Sequence, residues 1–463
     1  MKSLVLKLCS LISLSLCLGF YARFAGMDGR QALSISIFSA SILGTLFFWD
    51  FRLSFAFIGT SVLLMTKTID LEHVIEFSSL EVILFLVGMM VIIGLLKDSG
   101  VFAWIVSLIL RIPRLTGKKF AIIVALISAL LACTIDEVTS IIFMVVAVLE
   151  ICDYFEVNPI PFVIISVLAT NIGSAATVLG NPIGILIASK SGLSFEDFIV
   201  KAMPLAAFCL LITVFILLFW YRKQIRFLDE QIQRLGANEI LVRLISVPLE
   251  RSLKINLGIF MTMLVFISLH RRLEILWDLP ANTVLLVVPL VASGLVMIWK
   301  HNKARKYIEK DVEWWTLLFF LLLFVQAGTL KYTGATIFIA KQMLVACGNS
   351  LNLLISAMLW ISALGSSVLD NVVLVAAFIP VVQGFQALNI NLQPLWWALL
   401  FGGCLGGNIT LIGSTANIVA IGILEKEKHI KISFLDWLWV GLSVGLLTTF
   451  IVMAALIFLP FYR

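Results

Sequence analysis

Ile127-Ser128-Ala129-Leu130-Leu131-Ala132-Cys133-Thr134-Ile135-Asp136-Glu137 and Ile361-Ser362-Ala363-Leu364-Gly365-Ser366-Ser367-Val368-Leu369-Asp370-Asn371 are the two stretches that decide the fold. Each reads Ile-Ser-Ala-Leu, then five residues, then Asp, and the two copies stand 234 positions apart. Thr177-Val178-Leu179-Gly180 is echoed by Thr410-Leu411-Ile412-Gly413 at an offset of 233. Ser194-Phe195-Glu196-Asp197-Phe198 pairs with Ser433-Phe434-Leu435-Asp436-Trp437 before the last apolar run of each half. Short apolar matches arise by chance in any hydrophobic chain. Three echoes in the same order at nearly one offset instead point to a duplicated unit.

The flanking residues identify the solvent. Hydrophobic residues make up 61% of the 463 positions and charged residues 13%, against about 25% charged in soluble domains. So much apolar surface needs lipid, and a spanning helix needs about 20 mostly apolar residues. Such runs lie near 31–49, 51–66, 80–96, 99–112, 119–133, 136–153, 159–178 and 199–221. After a polar stretch, 222–253, they resume near 255–270, 281–299, 314–330, 334–347, 351–366, 368–387, 395–422 and 436–460. The run from Leu4 to Tyr21 has a basic start but no clear small-x-small cleavage site, so an uncleaved first helix is expected. The expected organisation is an N-terminal helix (1–29), a first repeat (30–221), a linker (222–253) and a second repeat (254–463).

The net charge of +6 is concentrated in two places. Arg222, Lys223, Arg226, Arg234, Arg243, Arg251 and Lys254 share one loop; Lys300, Lys303, Arg305, Lys306 and Lys310 share another. Basic loops beside spans follow the positive-inside rule. Two spans separate these loops, so both are expected in the cytoplasm, and the charge argues for a bilayer rather than nucleic acid as partner. Ile225, Leu228, Ile232 and Leu235 recur at spacings of three and four, which suits a helix lying in the membrane interface. The seven cysteines are scattered without a CxxC pair and read as buried small hydrophobes. No catalytic His constellation and no GxxxxGK[ST] loop is present, so neither an enzyme nor a resident cofactor is expected.

The runs 119–133 and 351–366 are followed so closely by another apolar run that no ordinary loop fits. A re-entrant hairpin, or a helix broken at mid-membrane, is expected at each place, where such backbone must be buried in protein or line a wet cavity. This puts Thr134, Asp136, Glu137 and Thr139 at one break and Ser366, Ser367, Asp370 and Asn371 at the other. An ionised carboxylate at bilayer depth costs at least about 2.5–3.5 kcal/mol, so it is expected to face a cavity, hold a cation or carry a proton. Two plainer readings stand beside this one: a polar turn at the membrane surface, and helix N-capping.

The second pair of clusters runs from Asn171 to Pro182 and from Gly406 to Asn417. It supplies Asn171, Thr177, Gly180, Asn181, Asn408, Thr410, Ser414, Thr415 and Asn417 as candidate substrate or ion contacts. Glycine permits close backbone approach, and Pro182 stops or kinks a helix. Packing through small residues is the competing reading, and the preferred one for Gly402-Gly403. Interrupted helices at matching places in two halves point to a transporter site near the membrane midplane.

These clusters resemble the ion transporter superfamily of citrate-type permeases, arsenite/antimonite permeases, D-type sodium/proton antiporters, the melanosomal P-protein and sodium/dicarboxylate symporters. The similarity covers roughly residues 30 to 460 and is closest to the P-protein and arsenite-permease-like branch. That branch carries Asp-Asn-Val-Thr-Thr, then Asn-Ile-Gly-Gly-x-Ala-Thr-Leu-Ile-Gly-Asp-Pro-Pro-Asn. Here Glu137 stands in place of Asn, Asn181 in place of Asp, and Ile183-Gly184 in place of Pro-Asn. The symporters' Ser-Asn-Thr hairpin tips are absent, which weakens carboxylate uptake, while the extra acid at Glu137 favours a cation- or proton-handling site. The resemblance implies an all-α polytopic membrane protein of two inverted repeats with re-entrant hairpins and broken helices. It also implies elevator-type movement, a homodimer in the cell (inner) membrane, and transport of a small ion or solute coupled to H+ or Na+. Sodium/proton antiport and, less favoured, dicarboxylate symport are the alternatives.

Overall fold

The computed structural model describes residues 2–48, 51–101, 104, 115–235 and 250–462. Every regular element among them is a helix. Nine are long and apolar enough to cross a membrane. The expected run 99–112 and the linker residues 236–249 lie almost wholly outside the described residues.

The chain enters through α1 (Lys2–Phe24), α2 (Gly29–Phe47), α3 (Arg52–Met65), the short α4 (Leu71–Phe77) and α5 (Leu80–Asp98). Asp28 opens α2 with a reciprocal capping box: its carboxylate accepts from the Gln31 backbone N–H, and the Gln31 side chain accepts from the Asp28 N–H. A first set of core helices follows: α6 (Gly117–Thr134), α7 (Glu137–Tyr154), α8 (Ile160–Gly173), α9 (Pro182–Ser191) and the long span α10 (Phe195–Trp220). After α11 (Arg222–Leu235) come α12 (Arg251–Ser268), α13 (His270–Leu276), α14 (Thr283–Trp299), α15 (His301–Lys306) and α16 (Trp314–Tyr332). The last set is α17 (Ala335–Ala346), α18 (Leu351–Ser366), α19 (Asn371–Gly384), α20 (Gln393–Gly406), α21 (Thr415–Lys428) and α22 (Phe434–Phe458).

Two residues separate α6 from α7 and four separate α18 from α19, so the expected interruptions fall where the acids stand. The runs read as 159–178 and 395–422 are each split: α8 stops at Gly173 and α20 at Gly406, and eight residues of irregular backbone precede α9 and α21. Each stop coincides with a close helix crossing. A Cβ on Gly173 would lie 2.4 Å from the Ala129 carbonyl oxygen, and one on Gly406 would lie 2.1 Å from that of Ala363. Helix α8 therefore crosses α6, and α20 crosses α18, with backbones in contact, as only small residues allow. Gly402 belongs to the same seam, its missing Cβ leaving room for Ser362 and the Leu359 carbonyl. Helices α17 and α18 meet at 117°, a sharp bend that the separate runs did not reveal.

Helix α11 is amphipathic, as its spacing predicts, and the first half of its apolar face is covered by protein. Ile225 and Leu228 are buried, α11 packs on α6, and Asp229 accepts a hydrogen bond from the Gly117 N–H that opens α6. Helix α12 starts at Arg251, three residues before the boundary expected at 254. Of the cysteines, Cys133, Cys152, Cys209 and Cys404 are buried, whereas Cys9 and Cys17 face outward on α1.

Candidate functional site

Four helix N-termini converge on the centre of the molecule, each capped by a residue that the sequence singles out. Asp136 caps α7 by accepting from the Thr139 N–H at 2.8 Å. Asp370 caps α19, accepting from Val372 at 3.1 Å and Val373 at 3.4 Å. Asn181 caps α9 through the Gly184 N–H at 2.9 Å, with Pro182 at the first helical position. Ser414 caps α21, accepting from Ala416 at 3.2 Å. The capping reading of the two aspartates is therefore correct in geometry. It remains compatible with a role in transport, because the same N-termini aim N–H groups and positive dipole ends at one place.

Glu137 is different. It caps nothing, is 2% exposed, and takes hydrogen bonds on both carboxylate oxygens from the Asn371 amide, at 3.2 and 3.3 Å. Among the described residues, none of Asp136, Glu137 and Asp370 joins an ion pair. No three His, Cys, Asp or Glu side chains among those residues converge as a metal cage.

The irregular segments are tied down by matching bonds. Thr177 donates to the Cys133 carbonyl and Thr410 to the Ser367 carbonyl, fastening each broken helix to the tip of the neighbouring helix pair. Thr415 donates to Asp370. Gly180 lies so close to the Ser174 carbonyl that a Cβ would approach it to 2.2 Å. At the centre, the Asn171 amide donates to the side-chain oxygens of Asn408 and Asn417, both at 2.9 Å, while Asn417 donates to the carbonyls of Gly407 (2.7 Å) and Thr410 (2.8 Å). This buried bridge joins the two sets of core helices. Asn171→Ala would leave two buried acceptors without their donor, at about 1–3 kcal/mol each. We expect it to lower the melting temperature in detergent, with Asn171→Asp, which still fills the space, also destabilised. An unchanged melting curve would show that the bridge carries no energy.

A cavity of about 210 Å³ opens beside this centre. Asp136, Glu137, Thr139, Asn181 and Thr415 line it from the core helices, and Lys97, Lys310, Asp311 and Glu313 line it from α5 and the approach to α16. Not every candidate faces it. The Thr134 hydroxyl bonds back to the Leu130 carbonyl of its own helix at 2.9 Å. Ser366 donates to the Gly403 carbonyl at 2.6 Å and so fastens α18 to α20, while the Ser367 hydroxyl closes its own helix end on Leu364. The wall residues Asp311 and Glu313 were missed because acids beside a basic loop look like ordinary interfacial charges. Cys404 was missed because it reads as a small hydrophobe; its sulfur accepts from the Asn181 amide at 3.2 Å.

A polytopic helical bundle whose broken helices border a cavity that carries several carboxylates suits a membrane transporter. Residues 45–402 match the family described as Citrate transporter, and the chain belongs to that family. It is 31% identical over 354 residues to an uncharacterized transporter of Mycobacterium tuberculosis strain H37Rv, covering 75% of this chain and 78% of that protein. It is 25% identical over 411 residues to an uncharacterized transporter of Synechocystis, covering 84% and 88%. The P protein of Homo sapiens is 28% identical over 444 residues, which span 80% of this chain and 52% of the human protein.

Proposed function

We propose that this transporter is a secondary active carrier that moves a small ion or solute at the expense of a proton or sodium gradient, with Glu137 as the coupling residue. The single observation carrying this reading is the buried Glu137 carboxylate, bonded to Asn371 and without an ion pair among the described residues. A lone charge at that depth is costly, so a proton or monovalent cation stabilises it, and binding at this position is linked to which arrangement of the helices is favoured. Asp136 and Asp370 add negative charge at the same helix termini. The matching sequence echoes and the matching helix–break–helix order support duplication; inverted halves, elevator-like movement of the core and a homodimer in the cell (inner) membrane rest on the family resemblance.

Sodium/proton antiport is the second reading, favoured by the extra acid at Glu137. Dicarboxylate symport ranks below both because the Ser-Asn-Thr tips are missing, although the family's description names citrate. The test is an internal pH dye in proteoliposomes given pulses of sodium, lithium, arsenite and citrate. A sodium- or lithium-driven pH change establishes antiport; one driven by citrate or arsenite establishes proton-linked solute transport. No response to any pulse, with the protein shown to be inserted, would contradict proton coupling, and silence in sodium-gradient uptake assays as well would contradict the proposal.

A further inference from the structure

A second cavity, of about 270 Å³, lies farther along the same helices, and it is built from the counterparts of the first. On α5 the first cavity is lined by Met90, Ile93, Gly94 and Lys97. The residues 234 positions later, Phe324, Ala327, Gly328 and Lys331 of α16, line the second. The approach to α16 gives Lys310, Asp311 and Glu313 to the first cavity; their counterparts before α5, Glu76, Phe77 and Ser79, line the second. Ile142 and Ala376 form an eighth pair at the same offset, among thirteen residues lining the second cavity. Even a close contact repeats. A Cβ on Gly94 would meet the Asp311 carboxylate at 2.9 Å, one on Gly328 would meet the Phe77 side chain at 2.5 Å, and Phe77 is the counterpart of Asp311. The C-terminal end of α5 shares one cavity with the N-terminal end of α16, and the segment leading into α5 shares the other with the C-terminal end of α16. The two helices therefore run antiparallel, and the cavities open at opposite ends.

We infer that the second cavity is the opposite mouth of the solute path, which runs between α5 and α16 on one side and α9 and α19 on the other. Apolar side chains stand where one cavity gives way to the other: Phe320 and Phe324, stacked with ring centres 6.1 Å apart, line one cavity each, as do Ile185 and Leu186. The first mouth reaches Asp136 and Glu137, whereas the wall that α19 gives the second begins at Ala376, six residues past Asp370. The present conformation is therefore open at the Lys97 end. At the closed end, Lys190 of α9 pairs with Glu81 of α5 at 3.1 Å and joins the two sides of the path. The word solute rests on the transport reading above; the placement of the mouths does not.

The test uses the full chain with the non-buried Cys9, Cys17 and Cys347 replaced by Ser, in sealed vesicles of known orientation, and a membrane-impermeant maleimide. Lys331→Cys and Gln383→Cys should react from one face, and Lys97→Cys and Ile142→Cys from the other. Reaction of Lys331→Cys and Lys97→Cys from the same face overturns the inference, and so does a Gln383→Cys that stays unreactive where Lys331→Cys reacts. Once labelled, Gln383→Cys should lose most of its ion- or solute-driven flux relative to the same preparation before labelling, about tenfold or more for a blocked path; unchanged flux places the cavity off the path. If neither preparation carries flux, the transport reading fails while the labelling pattern still decides where the mouths lie.

Discussion

Glu137→Gln is expected to reduce ion- or solute-driven flux to the level of empty vesicles while leaving the protein folded. Gln has the same shape, and its side-chain oxygen still accepts from the Asn371 amide that now bonds to both carboxylate oxygens. What disappears is the charge. Removing a buried charge that has no ion pair among the described residues relieves a desolvation cost, so the variant should unfold at the same temperature as the wild type or higher. Loss of function with retained stability is the signature of a coupling residue; a residue holding the fold together would lose both. The check is flux in proteoliposomes beside a melting curve in detergent. Wild-type flux in Glu137→Gln would remove Glu137 from the coupling step. A large fall in melting temperature would make it a structural carboxylate.

The second large effect is steric. In Gly406→Ala the new Cβ would sit 2.1 Å from the Ala363 carbonyl oxygen and 2.6 Å from its Cα. Both atoms are backbone, so no side chain can rotate away, and α20 must move off α18. Overpacking costs about 1–3 kcal/mol where side chains can adjust, and here the cost should reach the upper end or beyond. The same shift would disturb the Ser366 bond to the Gly403 carbonyl and the irregular segment that carries Asn408 and Thr410. Little monodisperse protein should survive extraction. Gly422→Ala is the control, because nothing among the described residues lies within 4 Å of a Cβ there, and it should be neutral or slightly stabilising. Equal behaviour of the two variants would mean that the α18–α20 crossing tolerates separation.

Much of this was legible in the sequence because the breaks are made by local chemistry. Asp, Asn and Ser ahead of an apolar run are N-caps, and four such residues open four central helices. The close spacing of apolar runs around 135 and 370 likewise left room only for tight interruptions. Long-range partners were not legible. Nothing local says that Asn171 will meet Asn408 and Asn417, or that Glu137 will meet Asn371, because those pairs lie more than two hundred positions apart. Thr134 illustrates the opposite error. A threonine beside an acid reads as a ligand, yet in a helix its hydroxyl has the carbonyl four residues back within reach and takes it. The cavity wall at Asp311 and Glu313 escaped notice because its acids follow a basic loop, where charge is expected on membrane grounds alone. Helix α11 was read correctly as amphipathic, but periodicity cannot distinguish lipid from protein as the cover for its apolar face.

The most direct measurement is proton exchange on ligand addition, followed in weakly buffered detergent solution for wild type and Glu137→Gln, with sodium, lithium or citrate as the titrant. The account predicts a pH change on binding in the wild type, released or taken up according to the ligand's charge, and its absence in Glu137→Gln. Equal pH changes in the two proteins would contradict it, because the exchanging proton would then belong to another group.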